Sequence, residues 1–130
     1  MGGRMAPHLI SAGHEVGVVD KNTAAAQRAT AAGAWRAASP AELAATSEMV
    51  LTSLPEGADV EEVYLGEGGL IDAGGKGKLF VDLSTVAPVT SQKIAEAAAT
   101  RGAAAIDVER LIIRIIFERG VLCVFELFHD

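Results

Sequence analysis

The chain has 130 residues, of which 50% are hydrophobic and 22% charged, and its formal net charge is −6 at pH 7. This composition excludes a disordered chain and allows one domain with a single sizeable core. The negative charge argues against binding to nucleic acid or to an anionic membrane. The single cysteine, Cys123, excludes an internal disulfide and a cysteine zinc site, and we predict no metal. The N-terminus has no apolar signal core, so we expect a cytoplasmic protein.

Short apolar runs alternate with helical patterns along most of the chain. The predicted strands are residues 16–19, 49–54, 79–83 and 103–108. The predicted helices are residues 5–12, 24–32 (capped by Thr23), one that starts at Ser39-Pro40-Ala41-Glu42, 58–65 and 88–100, with a glycine-rich loop at 66–78. This alternation predicts an α/β fold with a doubly wound, mainly parallel sheet.

The predicted sheet lacks its first strand. A doubly wound sheet starts from a central strand that leads through a glycine-rich turn into the first helix. Here the chain opens directly on that helical pattern, so we expect the missing strand to be encoded upstream of Met1. Its absence leaves open backbone edges on both neighbouring strands.

Composition changes abruptly near Asp107. Residues 1–107 contain 24 alanines, whereas residues 108–130 contain none and hold three of the four phenylalanines. Two apolar runs in this tail, 111–117 and 121–128, fit a β-hairpin, and a single 18-residue helix is the alternative. Insertion of the tail into the vacant position needs the right direction and register. We expect instead that the tail packs on a sheet edge or stays exposed, and that it drives self-association.

Three groups of residues follow predicted strands and should meet at the carboxyl edge of the sheet, where ligands bind in open α/β folds. Asp20 lies 18 residues beyond Gly2, the spacing of an acid that binds a ribose diol, although a strand-end or N-cap carboxylate is the alternative. Leu54-Pro55 and Ser84-Thr85 follow two later strands. Their alternatives are an ordinary turn proline and a cap for the helix at 88–100. Together these groups indicate a cleft for a cofactor and a substrate.

Three ordered motifs resemble the β-hydroxyacid dehydrogenase family. Met1-Gly2-Gly3-Arg4-Met5-Ala6-Pro7-His8-Leu9 is similar to the latter half of its G-x-G-x-M-G-x-x-M-A-x-N-L signature, and Ala12-Gly13-His14-Glu15-Val16 continues the likeness. Asp82-Leu83-Ser84-Thr85-Val86-Ala87-Pro88 resembles the D-x-S-T-x-x-P substrate motif, and its spacing from Leu54-Pro55 fits without gaps. The resemblance covers residues 1–107. It is greatest to 3-hydroxyisobutyrate dehydrogenases and 2-hydroxy-3-oxopropionate reductases, and it implies a Rossmann-like domain similar to that of 6-phosphogluconate dehydrogenase.

The resemblance also implies a role for each matched residue. The implied cofactor-binding residues are Met1, Gly2, Asp20, Lys21, Asn22, Leu54, Pro55 and Thr85. Asp20 would bind the adenosine ribose, Thr85 would approach the nicotinamide, and Ser84 would bind the carboxylate end of the substrate. The implied substrate is a small β-hydroxyacid. The cofactor would be NAD rather than NADP, because the carboxylate of Asp20 repels a 2′-phosphate.

The tail departs from the family. Val108-Glu109-Arg110-Leu111-Ile112 stands where the family has a glycine-rich substrate loop, and we interpret the tail as a frameshifted or foreign reading. The family's catalytic lysine and its oligomer-forming helical domain lie farther on, so we identify no catalytic residue and predict that this chain alone is inactive. The sequence thus divides into a partial NAD(P)-binding domain, 1–108, and a tail, 109–130, that is not a domain. The alternatives are a non-catalytic nucleotide-binding or interaction module and a product without function.

Overall fold

A computed structural model describes residues 2–73, 75–107 and 122–126. The strands are β1 Val16–Val19, β2 Trp35–Arg36, β3 Met49–Ser53, β4 Leu79–Asp82, β5 Ala104–Asp107 and β6 Leu122–Glu126. The helices are α1 Gly2–Ser11, α2 Thr23–Ala31, α3 Pro40–Thr46, α4 Gly57–Leu65, α5 Leu70–Ala73 and α6 Pro88–Thr100. Within the described ranges, no helix has the length and apolar character needed to cross a bilayer.

The strands form one sheet in the order β2-β1-β6-β3-β4-β5, and every paired neighbour is parallel. Successive residues of a strand point to opposite faces. Val50 and Phe80 therefore pack in a core with α3 to α6, while Leu51 and Val81 pack on the other face with α1 and α2. This arrangement confirms the predicted α/β, doubly wound, parallel fold.

The central position of the sheet is occupied by the tail. β6 runs parallel to both neighbours, with Leu122 opposite Val16 of β1 and opposite Met49 of β3. The expectation that the tail packs on an edge or stays exposed is therefore wrong for residues 122–126. A strand in this position bonds to both open backbone edges, which edge packing would leave unpaired. The connection between β5 and β6 is 14 residues long, and a crossover between parallel strands needs a dozen or more.

Several local predictions need correction. Asn22, and not Thr23, is the N-cap of α2, because its side chain accepts the amide of Ala25. The predicted loop 66–78 contains the short helix α5, and the two-residue strand β2 was not predicted. By contrast, Ser39 caps α3 as predicted and accepts the Glu42 amide at 3.1 Å. The tail run 111–117 lies outside the described residues.

Candidate functional site

The carboxyl end of β1 presents an ordered acidic turn. The backbone amide of Asn22 donates to Oδ1 of Asp20 at 2.8 Å, and the side-chain Oδ1 of Asn22 accepts a hydrogen bond from the backbone amide of Ala25 at 3.2 Å. The first bond fixes the carboxylate of Asp20 just beyond the strand, and the second uses Asn22 to start α2. Because Asp20 and Asn22 are half-buried and Lys21 is exposed, this turn faces a surface that a ligand can reach.

A cleft of about 330 Å³ lies beside this turn. Its walls come from the end of β1, the start of α3, α4 and the loop before α5; its charged lining residues are Asp20, Lys21, Glu62 and Glu67. This volume lies at the lower end of the range for small-molecule sites. Nζ of Lys21 lies 3.6 Å from Oε2 of Glu62, so the ammonium is already paired with a carboxylate of α4. The cleft is therefore predominantly acidic.

The ends of β3 and β4 are joined by buried hydrogen bonds. Oγ1 of Thr52 lies 2.7 Å from the Tyr64 hydroxyl and donates to Oδ1 of Asp82 at 2.9 Å. The same Oδ1 accepts the Ser84 amide at 3.0 Å, and the Ser84 hydroxyl in turn accepts the Leu54 amide at 2.7 Å. We call Thr52, Tyr64, Asp82 and Ser84 the edge network; all four are buried.

Tyr64 enters the edge network from α4, and its ring packs edge-on against Phe80 at a centroid distance of 5.7 Å. Burial raises the pKa of its hydroxyl above the usual 10.0, the carboxylate of Asp82 raises it further, and the Thr52 hydrogen bond acts in the opposite direction. The phenol therefore stays protonated and can act as a hydrogen-bond donor at neutral pH.

The other predicted site residues reach the same edge with different exposure. The Leu54 side chain is buried in the core, while Pro55 and Thr85 are exposed. Ser84 and Thr85 do not cap α6, whose N-cap is Ala87 without a side-chain hydrogen bond, so that alternative is wrong. At the other end of the chain, Gly2 begins α1, a helix with no acidic residue in its first turn. The cofactor contact implied for Met1 falls outside the described residues.

Sequence reasoning missed three residues at this edge: Thr52, Tyr64 and Glu62. The sequence signals were a hydroxyl inside the apolar strand 49–53, a lone tyrosine on a helix, and an acid on that helix. A second cavity of about 260 Å³ lies on the α6 side, and Tyr64 and Asp82 are among its lining residues. The predicted residues thus meet at one edge but divide into an acidic part beside β1 and a buried part at β3 and β4.

A parallel, doubly wound sheet with an acid at the end of a strand and a cleft beside it defines a dinucleotide-binding domain of the Rossmann type. Residues 1–109 match the family of the NAD binding domain of 6-phosphogluconate dehydrogenase, and the chain belongs to this family. The cofactor class of the family is NAD(P), as predicted.

Curated relatives are hydroxyacid dehydrogenases and related reductases. The chain is 41% identical to 3-hydroxyisobutyrate dehydrogenase of Pseudomonas aeruginosa over 107 residues, which are 82% of this chain and 36% of that protein. It is 34% identical to 3-sulfolactaldehyde reductase of Escherichia coli over 108 residues, 83% of this chain and 36% of the relative. The chain therefore spans about a third of the length of the curated relatives it matches.

Among solved structures, the chain resembles 3-hydroxyisobutyrate dehydrogenase of Mycobacterium tuberculosis with L-serine. The TM-score is 0.76 at 31% identity, and the match covers 82% of this chain and 36% of the other. The predicted resemblance to β-hydroxyacid dehydrogenases is thereby confirmed, and it concerns their N-terminal NAD-binding domain.

Proposed function

We propose that this chain provides the nucleotide-binding part of an NAD-dependent dehydrogenase for a small β-hydroxyacid. The observation that carries the proposal is the convergence of Asp20, Leu54-Pro55 and Ser84-Thr85 on one carboxyl edge, beside a cleft of about 330 Å³. In this proposal residues 1–108 are the partial cofactor domain and residues 109–130 are not a domain of their own.

The geometry supports a distinct role for each part of the edge. Asp20 would accept hydrogen bonds from the adenosine ribose, with Lys21 and Asn22 beside it. The N-terminus of α1 at Gly2 would face the pyrophosphate, since unpaired amides at a helix start favour anions. Pro55 and the Leu54 backbone would line the cofactor. In the same proposal Thr85 would approach the nicotinamide, and Ser84 would contact the carboxylate end of the substrate.

The charges beside β1 favour NAD over NADP. A 2′-phosphate on the adenosine ribose would approach the carboxylate of Asp20, and like charges repel. Lys21 is the basic residue nearest to that point in sequence, but its ammonium is paired with Glu62 at 3.6 Å. The cleft therefore offers the ribose diol an acceptor and offers a phosphate little compensation.

The reaction and substrate belong to the whole enzyme of which this chain would be a part. NAD would accept a hydride from the β-hydroxyl carbon of a small β-hydroxyacid such as 3-hydroxyisobutyrate, or NADH would donate one to the aldehyde carbon of 2-hydroxy-3-oxopropionate. The chain would contribute cofactor and substrate contacts but no catalytic lysine. A homo-oligomeric parent, self-association of this chain and a cytoplasmic location belong to the same proposal.

The alternative is a non-catalytic nucleotide-binding or interaction module, and its interaction form needs a hydrophobic tail that pairs with a partner. Residues 122–126 pair instead with β1 and β3 of the same chain. This arrangement argues against a partner strand at these five residues.

NADH binding by the full chain tests the proposal, with Asp20→Asn as the variant. We expect this change to weaken NADH about tenfold, because a hydrogen bond to a charged group contributes more than a neutral one. Glu48→Gln is the matched control, since Glu48 is an exposed carboxylate at the opposite, amino edge of β3. If wild type does not bind NADH, or if both variants weaken it equally, the proposal is wrong.

A further inference from the structure

The edge network contains more polar groups than the fold needs. Thr52 and Tyr64 are 0% and 1% exposed, and Asp82 is 5% exposed, so each has lost nearly all of its hydration. Apolar residues of similar volume would fill this space without the desolvation penalty of a carboxylate. A buried polar group instead fixes one geometry, because its partners must lie at hydrogen-bond distance and angle.

The bonds connect the two turns that carry the predicted binding residues. Oδ1 of Asp82 accepts both the Thr52 hydroxyl, at 2.9 Å, and the Ser84 amide, at 3.0 Å. The hydroxyl of Ser84 then accepts the Leu54 amide at 2.7 Å, across 30 residues of sequence. The turn after β3 is therefore bonded to the turn after β4 through side chains. The backbone adds one further bond, from the Leu83 amide to the Thr52 carbonyl at 2.7 Å.

Tyr64 fixes the network from outside the sheet. Its hydroxyl lies 2.7 Å from Oγ1 of Thr52, and its ring is held against Phe80. With a partner on each side, the Thr52 hydroxyl has one orientation that serves both, donating to Asp82 and accepting from the phenol. Helix α4, which also supplies Glu62 to the cleft, is thereby coupled to the turns after β3 and β4.

We propose that Thr52, Tyr64 and Asp82 are positioning residues for the cofactor. By holding Ser84 and the Leu54 amide, they fix the directions in which Pro55 and Thr85 leave the sheet. The inference rests on the proposed function, because the fixed geometry matters only if this edge binds a dinucleotide. None of the three residues needs to touch the cofactor in this role.

Thr52→Val and Thr52→Ser test the inference in the full chain. Valine keeps the volume of threonine but removes the hydroxyl, whereas serine keeps the hydroxyl. We expect Thr52→Val to weaken NADH binding about fivefold, the loss that one hydrogen bond would cause, and Thr52→Ser to restore wild-type affinity. Tyr64→Phe, which keeps the ring against Phe80, should weaken NADH in the same direction.

Ser47→Ala is the matched control. Ser47 is also buried and its hydroxyl donates to the Leu43 carbonyl, but it precedes β3 at the amino edge. The variant should lower the melting temperature of the free chain without changing the Kd for NADH. A merely structural Thr52 would behave like Ser47. Amide hydrogen exchange at Leu54 and Ser84 provides a second measurement, made without cofactor, and should be faster in Thr52→Val than in Ser47→Ala.

The outcomes separate the two proposals. Unchanged NADH affinity in Thr52→Val, with wild type binding normally, overturns the positioning inference and leaves the proposed function intact. Equal loss of affinity in Thr52→Ser and Thr52→Val also overturns it, since the hydroxyl would then be irrelevant. A wild-type chain that fails to bind NADH overturns the proposed function and the inference with it.

Discussion

Replacing Val124 by proline tests the position of β6. Val124 lies opposite Val18 of β1 and opposite Leu51 of β3, so its backbone is in the middle of the sheet. Proline removes the amide donor and leaves a neighbouring carbonyl unpaired. The lost hydrogen bond should contribute about 1 kcal/mol and the unpaired buried carbonyl roughly 1–3 kcal/mol. We therefore expect a destabilisation of about 3 kcal/mol, which would lower the melting temperature by roughly 10 °C.

Arg36→Pro is the matched control, because Arg36 lies on the outer strand β2. The next residue, Ala37, donates its amide to the Val18 carbonyl at 3.0 Å. Since successive residues of a strand alternate in direction, the Arg36 amide points away from β1. Arg36 is also exposed, so proline there should change the melting temperature far less than Val124→Pro does.

Thermal unfolding followed by far-UV circular dichroism and by the fluorescence of the single tryptophan, Trp35, measures both variants. Deletion of residues 109–130 extends the test, because it reopens β1 and β3 along the length paired with β6. We expect the truncated chain to lose cooperative unfolding and to aggregate. Equal melting temperatures for the two proline variants, or a truncated chain that unfolds as cooperatively as the full one, would refute the central position of β6.

Three further predictions follow from the same edge. Glu62→Gln removes the ion-pair partner of Lys21 and should raise the affinity for NADPH relative to NADH about two- to threefold, which matches the free energy of an exposed ion pair. Titrations of Glu48→Gln, the control, should show no change in this ratio. The chain alone should not oxidise 3-hydroxyisobutyrate or reduce 2-hydroxy-3-oxopropionate above the rate of a heat-killed control, because it lacks the catalytic lysine and a positioned acid or base accelerates such a reaction roughly 10²–10⁴-fold. Burial raises the pKa of Tyr64, the single tyrosine, in the folded chain, so its hydroxyl ionises more readily in the unfolded chain. The free energy of unfolding should therefore fall as pH rises above 10.0. Near-UV tyrosinate absorbance should then rise only with unfolding; a rise near pH 10.0 in the folded chain would contradict this prediction.

Periodicity in the sequence predicts most of the fold, because the four strands at 16–19, 49–53, 79–82 and 104–107 are short runs of mainly apolar residues separated by helical patterns. It also indicates a strand in the tail run 121–128, within which β6 lies, but it does not predict the central position of that strand. An apolar strand in a tail fits an edge position and a central one equally well, and the choice depends on which backbone edges remain open elsewhere. Strand β2 and helix α5 escape prediction for another reason: they have two and four residues, too few for a period to show.

The candidate site likewise has one part that the sequence predicts and one part that it does not. Asp20 is predictable because an acid at a fixed distance from a glycine turn needs only local spacing. The edge network is not predictable from local spacing, because its hydrogen bonds join residues that are 12 and 30 positions apart in sequence and that only the folded sheet brings together. Thr52 in particular is indistinguishable in sequence from a β-branched residue chosen for its strand propensity.

The two parts of the carboxyl edge should respond differently to salt. The side chains of Lys21 and Glu62 are 66% and 65% exposed, so their charges act through water and are screened as ionic strength rises. The edge network is buried, and its hydrogen bonds are little affected by dissolved ions. Changes beside β1 should therefore alter the choice between NADH and NADPH in low salt and lose that effect in high salt. Thr52→Val should weaken both nucleotides alike at every salt concentration, because it moves the turns and not the charges. An NADH-to-NADPH ratio in Thr52→Val whose salt dependence differs from that of the wild-type chain would show that the two parts are electrostatically coupled and that this division is wrong.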